Sequence, residues 1–306
     1  MTAFALRRAL ILIPELFAVS LGAFLIVHLA PGNPALLLAG LHPTPALIAS
    51  ITREWGLNLP LPEQYLRFLV QLSHGNLGYS MMEHRPVMAL IGGALPVTLT
   101  IGGGGTALAL LLGIPLGVAA GRRTGSFVDR VIVLLTSITV SVPLFWLGIL
   151  LVIAFSIRLG WLPSAGYGTF RQLILPWLAL GINGLAIFAR MMRNQLSDVL
   201  ANDYIRTARA KGVAPTGTVW RHAIRNALIP IIALLGLRVG YIIAGSIVLE
   251  LVFLLPGMGQ LMVQAILNSD YTVVQGTMLV LGISVLVANF LADLAYGWVN
   301  PAIRYQ

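Results

Sequence analysis

The sequence predicts an all-α membrane protein that crosses the bilayer six times, with both termini on the cytoplasmic side. Three observations carry this. Hydrophobic residues make up 58% of the 306 residues and charged residues only 9%, against about 25% charged in a soluble domain. Six apolar runs approach or exceed the roughly 20 residues a helix needs to cross ~30 Å of hydrocarbon. Arginines concentrate in alternate connections, which sets the sidedness.

The runs are residues 9–30, 95–121, 131–157, 172–189, 227–249 and 273–292. The second, third, fourth and sixth hold no charged residue; the first holds Glu15 and the fifth Arg238. Arg7 and Arg8 precede the first run, which is longer than a signal-peptide core and lacks a small-x-small cleavage site. It reads as an uncleaved transmembrane helix. Arg122, Arg123, Arg130 and the basic stretch between 190 and 226 fall in the segments assigned to the cytoplasm, whereas Arg53, Arg67, Arg85, Arg158 and Arg171 fall outside. The net charge of +9, from 19 Lys+Arg and 10 Asp+Glu, is therefore a topology signal and implies no nucleic-acid partner. The whole chain, 1–306, reads as one transmembrane domain.

Two connections are long. The outer loop, 31–94, contains two short helices: one begins at Thr44-Pro45, a cap followed by proline at the first helical position. The other covers 63–73, where Tyr65, Phe68, Leu69 and Leu72 share a face. The cytoplasmic loop, 190–226, is polar and basic. Connections this long point to partners on both sides of the membrane.

No motif in the sequence points to catalytic chemistry. There is no cysteine, hence no disulfide, Cys-ligated zinc or thiol nucleophile. The single lysine, Lys211, is followed by Gly212-Val213; a P-loop needs Gly-Lys-Ser/Thr, so this chain does not hydrolyse ATP by that route. His28, His42, His74, His84 and His222 form no zinc motif. No catalytic residue, metal or cofactor is expected on this chain. The run Gly102–Gly105, the repeat Gly113, Gly117, Gly121 and the pair Gly236, Gly240 read as close helix packing.

The informative stretch is 198–230. Residues 198–212 read as a helix capped by Asp198 and ended by Gly212, with Leu200, Tyr204, Thr207, Ala208 and Lys211 on one face and Arg206 and Arg209 elsewhere. Pro215 breaks the chain, and a second helix starts near Thr218. The result is a helical elbow at the membrane surface, which could receive a partner or rest on anionic lipid.

With the spacing Ala208-x-x-x-Gly212, this stretch resembles the EAA loop of ABC importer permeases, in the flavour of the dipeptide/oligopeptide/nickel group. The resemblance spans nearly the whole chain: His28-Leu-Ala-Pro-Gly-Asn-Pro34, Gln64-Tyr-Leu-Arg67, His74-Gly-Asn-Leu-Gly-Tyr79, Leu95-Pro-Val-Thr-Leu-Thr100, Pro256-Gly-Met-Gly259, Asn268-Ser-Asp-Tyr271 and Asn300-Pro-Ala-Ile-Arg-Tyr305 match in order. It departs from the general pattern at Arg206-Thr207-Ala208, where an acidic residue and two alanines are usual, and at Arg225, where a proline is usual.

The resemblance implies a type I importer permease. Such a subunit pairs with a second related permease, is driven by two P-loop ATPases that carry the ATP and magnesium, and receives substrate, here peptides, from an outer binding protein. Leu200, Tyr204, Arg206, Thr207, Ala208, Arg209, Lys211 and Gly212 would then form the ATPase-coupling loop. An ion-coupled transporter using Glu15, Arg238 and Asp293 is the competing reading, with an intramembrane enzyme a third. Arg238 lies midway along the fifth span, where a charge costs at least ~2.5–3.5 kcal/mol. It either lines the translocation path and attracts an anionic group or pairs with protein groups at a subunit interface.

Overall fold

The computed structural model describes residues 2–29, 34–39, 43–80, 82–212, 214 and 217–299. They are almost wholly helical: α1 Thr2–Leu29, α2 Pro34–Ala39, α3 Pro45–Trp55, α4 Leu61–Ser73, then a two-residue antiparallel hairpin of β1 Tyr79–Ser80 and β2 Arg85–Pro86. There follow α5 Val87–Gly121, α6 Phe127–Ser141, α7 Leu144–Leu151 with a π-helical extension Val152–Arg158, α8 Phe170–Ala201 and α9 Asp203–Ala210. A second π-helical turn, Thr218–Ala223, leads to α10 Ile224–Ala227, α11 Ile229–Val252, α12 Met258–Leu267 and α13 Tyr271–Val299.

Among the described residues four helices are long and apolar enough to cross a membrane: Ala5–His28 within α1, α5, α8, and Tyr271–Ala295 within α13. Helix α11 overlies the fifth predicted run; its 24 residues extend about 36 Å. The third predicted run is not one straight helix. It breaks between Ser141 and Leu144, and the two halves meet at 100°. Pro143 is the cause: it has no N–H to donate, and it pushes Val142 out of the helical region, to φ −88°, ψ 121°.

The chain divides into two compact units. One comprises Leu6–Thr98 and Leu255–Val287. Its core gathers Ala23, Leu77, Val87, Ile91, Met258, Val273 and Leu279. Both loop helices form as the sequence predicts: Thr44 Oγ1 accepts from Leu47 N at 3.2 Å, Gly56 closes α3 at φ +62°, and α4 turns Phe68 inward. The side chain of Gln275 donates to Ala23 O at 3.1 Å, and a Cβ on Gly282 would stand 2.5 Å from Val19, so α1 and α13 run antiparallel at close range. The hairpin is fastened by the Ser80 hydroxyl, which donates to the buried Asp270 carboxylate; that carboxylate also caps α13 by accepting from Val273 N.

The other unit comprises Met1–Ala5, Leu99–Leu254 and Ala288–Gln306. Here the predicted glycine packing is realised at Gly104, Gly105, Gly113, Gly117, Gly121 and Gly236, but not at Gly103, where nothing lies within 4 Å of an added Cβ. A Cβ would stand 2.1 Å from the Trp177 ring at Gly104, 2.7 Å from Leu180 at Gly105, 2.6 Å from Ala189 O at Gly117 and 2.7 Å from Arg193 O at Gly121. Helices α5 and α8 thus run parallel with their backbones nearly touching, which is what small residues permit where lipid supplies no hydrophobic drive. Gly236 meets Ala292 of α13 in the same way, at 2.5 Å.

Candidate functional site

The elbow is built at the end of α8. The sequence places a helix start at Asp198, but α8 runs unbroken for 32 residues to Ala201, carrying Asp198 inside it. The physical reason is that Leu196, fully buried, and Val199 still pack on the unit's core, so helical packing outlasts the apolar run. The break falls at Asn202, extended at φ −69°, ψ 149°. Helix α9 follows, and Gly212 turns the chain at φ +83°, the left-handed conformation that glycine adopts without a Cβ penalty.

The anchor of the elbow is Ile205, fully buried among Leu196, Val219, Ala223, Ile224 and Ala227. The sequence reading missed it, because it assigned the helix face from 198 and not from 203. The Asn226 amide donates to the Tyr204 hydroxyl at 2.9 Å, tying α9 to the returning arm. Of the predicted face, Tyr204, Thr207 and Lys211 are exposed, Ala208 is half-buried, and Leu200 belongs to α8 and packs on the core. Arg206 is exposed beside Asp203 at 3.7 Å; such a surface pair contributes little. The side chain of Arg209, and residues Val213 and Pro215, lie outside the described residues, as do 30–33, His42 and 300–305. The exposed surface of the elbow therefore includes Tyr204, Arg206, Thr207, Ala210, Lys211 and Gly212, together with Trp220 at 64% exposure on the returning arm.

Polar bonds lock α8 to α6 just behind the elbow. Arg193 donates from Nε and Nη2 to the two oxygens of Asp129, at 2.9 and 2.8 Å. Asp129 also accepts from Gly125 N at 2.7 Å, while its own N–H donates to Ser126 Oγ. Both charged groups lie beyond the apolar runs 131–157 and 172–189. The Arg193 hydrogen bonds hold the Asp129 carboxyl down at about 2, against the opposing effect of burial and with help from the Gly125 N–H. One turn further along, Arg190 donates to Thr136 Oγ1 at 3.1 Å and Ser137 Oγ at 3.0 Å.

Arg238, midway along α11, lines a small cavity with Thr106, Asn183 and Phe188. Among the described residues no three His, Asp or Glu side chains come together as a metal site. His28 is engaged elsewhere: its Nε2 meets Gln64 Oε1 at 2.9 Å and its Nδ1 meets Phe24 O at 2.9 Å.

The comparisons agree with this architecture. Residues 113–305 match the family described as binding-protein-dependent transport system inner membrane component, and residues 1–102 match the N-terminal membrane component of the same systems. The chain is 40% identical over 303 residues to the glutathione transport system permease protein GsiC of Salmonella paratyphi A, covering 99% of both chains. It is 41% identical over 301 residues to GsiC of Pectobacterium atrosepticum, covering 98% of both. A chain of the MetNI methionine ABC transporter, solved in inward facing conformations, superposes with a TM-score of 0.60 at 22% identity, over 70% of this chain and 97% of that one. ATP hydrolysis in such importers belongs to partner ATPases, and substrate arrives by way of a binding protein. The chain belongs to the binding-protein-dependent transport family and is a multi-pass permease subunit of an ABC importer in the bacterial inner membrane.

Proposed function

We propose that this permease imports small peptides, in the size class of glutathione, and that the elbow is its mechanical link to the ATPase. The substrate class follows from relatives named for glutathione transport that match end to end. The proposed assembly has two related permeases, two P-loop ATPases and one outer binding protein, with six crossings, cytoplasmic termini and a single domain over 1–306. The outer loop 31–94 faces the binding protein, the loop 190–226 faces the ATPase, and membrane lipid surrounds the spans. Arg238 lies on the translocation path.

The observation that carries the coupling role is the way the elbow is held. Ile205 is fully buried and Tyr204 bonds to Asn226, so α9 is rigidly attached to both α8 and the returning arm. A force on Tyr204, Arg206, Thr207, Ala208, Arg209, Lys211 and Gly212 then reaches the spans through Leu200 and α8 and is not absorbed by a slack loop. The test is Ala210→Trp, an exposed position, beside Ala208→Trp, a half-buried one, in the reconstituted importer. Both should insert in the membrane but lose ATPase copurification and substrate-stimulated hydrolysis. Normal copurification, stimulation and uptake in both variants would remove the elbow from the mechanism and favour a helix lying on lipid.

A further inference from the structure

We propose that the cavity beside Arg238 is a carboxylate-recognition subsite for the transported substrate; this deepens the peptide-import reading and rests on it. The cavity lies between α5, α8 and α11 and is lined by Thr106 and Ala109, by Asn183, Gly184 and Phe188, and by Arg238. About 20 Å³ is open to the centres of water molecules, room for one or two waters or for the two oxygens of a carboxylate. The rest of a peptide would lie outside it.

The chemistry of the lining is specific. Asn183 is 7% exposed, yet its amide makes no hydrogen bond among the described residues. A buried amide ordinarily finds partners within the protein; this one opens on the cavity. Arg238 presents a guanidinium, the side chain whose planar fork matches a carboxylate. The Thr106 hydroxyl already donates to Gly102 O at 2.6 Å, so toward the cavity it can only accept. Arg238 supplies donors, Asn183 both a donor and an acceptor, and Thr106 an acceptor. That set suits an anion adjoining an N–H group, which is the arrangement at a peptide C-terminus. Ala109 and Gly184 bring α5 and α8 close together at the cavity's edge, and Leu180 and Phe188 give an apolar wall that strengthens charge recognition by excluding water.

The sequence has no cysteine, which makes the test direct. In the assembled importer hydrolysing ATP in liposomes, Asn183→Cys places a single thiol from this chain at the cavity. Sulfonatoethyl (anionic) and trimethylammonioethyl (cationic) methanethiosulfonates are compared as probes. The anionic reagent should react about tenfold faster, a free-acid tripeptide should protect, its C-terminal amide should not, and adding Arg238→Gln should abolish the preference. In a second arm, Arg238→Gln alone should lower uptake of the free acid about tenfold and leave the amide unchanged. Equal rates for the two reagents, or equal uptake losses for acid and amide, overturn the subsite. Peptide uptake on the same liposomes separates the two ideas: transport without anion preference sinks the subsite alone, and anion preference with free-acid protection but no peptide transport supports the subsite while sinking the peptide-import reading.

Discussion

Asp129 at the start of α6 and Arg193 near the end of α8 form a two-pronged ion pair, at 2.9 and 2.8 Å, that fixes the antiparallel register of the two helices directly behind the elbow. Asp129 is 3% exposed. Asp129→Ala leaves Arg193 Nε and Nη2 and the Gly125 N–H without their carboxylate acceptor, at a cost of about 1–3 kcal/mol. A lowered melting temperature in detergent and weaker ATPase coupling are the expected outcomes. In the otherwise native chain, Arg193→Lys should also weaken the pair, though by less, because an ammonium cannot match both oxygens.

The same pair dictates an acid response. The carboxyl is lowered from 3.8 to about 2, so its contribution is fully present above the unfolded value and is lost as pH falls from near 4 toward 2. Between pH 5 and 8 the pair contributes no slope to stability. Thermal melts of wild type and Asp129→Asn should therefore stay a constant distance apart over that range and converge only in the acid window.

Gly212 separates backbone strain from bulk. Nothing lies within 4 Å of a Cβ built on it, and its φ is +83°. Asn, which tolerates the left-handed region, should be accepted, whereas Val should cost about 1–2 kcal/mol and misdirect the elbow. ATP hydrolysis coupled to uptake should rank Gly, then Asn, then Val. A Val variant equal to Asn would show that the turn is not conformationally demanding.

The glycines of α5 divide sharply. Gly117→Ala drives a methyl into Ala189 O at 2.6 Å, whereas Gly103→Ala meets nothing within 4 Å. The first should destabilise by about 1–3 kcal/mol, since a helix backbone cannot step aside alone. The second should be silent. Size-exclusion stability of the two variants after graded heating provides the comparison.

On the outer-loop side, the Gln64 amide donates to Leu57 O at 3.2 Å and Leu59 O at 2.8 Å, while its oxygen meets His28. Gln64→Leu removes all three bonds from a 7% exposed position and should loosen the turn between α3 and α4 by about 1–3 kcal/mol. Faster amide exchange confined to residues 56–64 is the expected signature.

What the sequence made legible was what one element decides by itself. The Thr44-Pro45 start, the Gly212 turn and the small faces of α5 are local chemistry or local spacing. Pro143 was equally visible, but inside so apolar a run it did not stand out as a break. Ile205, Asn183 and the Asp129–Arg193 pair were not legible because their roles depend on distant partners: Ala223, the α11 arginine and a helix 64 residues away. The polar stretch from Arg190 read as loop because its buried side, Met192 and Leu196, is a narrow stripe among charges.

Helix α8 carries one more implication. Its proline, Pro176, lies before Asn183, so the ladder from there to Ala201 is uninterrupted over about 27 Å. Such a segment behaves as a lever: swinging it by about 10° about Pro176 would carry its far end sideways by about 6.5 Å and the Asn183 level by about 2 Å. On the proposed coupling, a push at α9 and the gap beside Asn183 would move along one mechanical coordinate, so that a grip on the elbow would change the cavity without touching it.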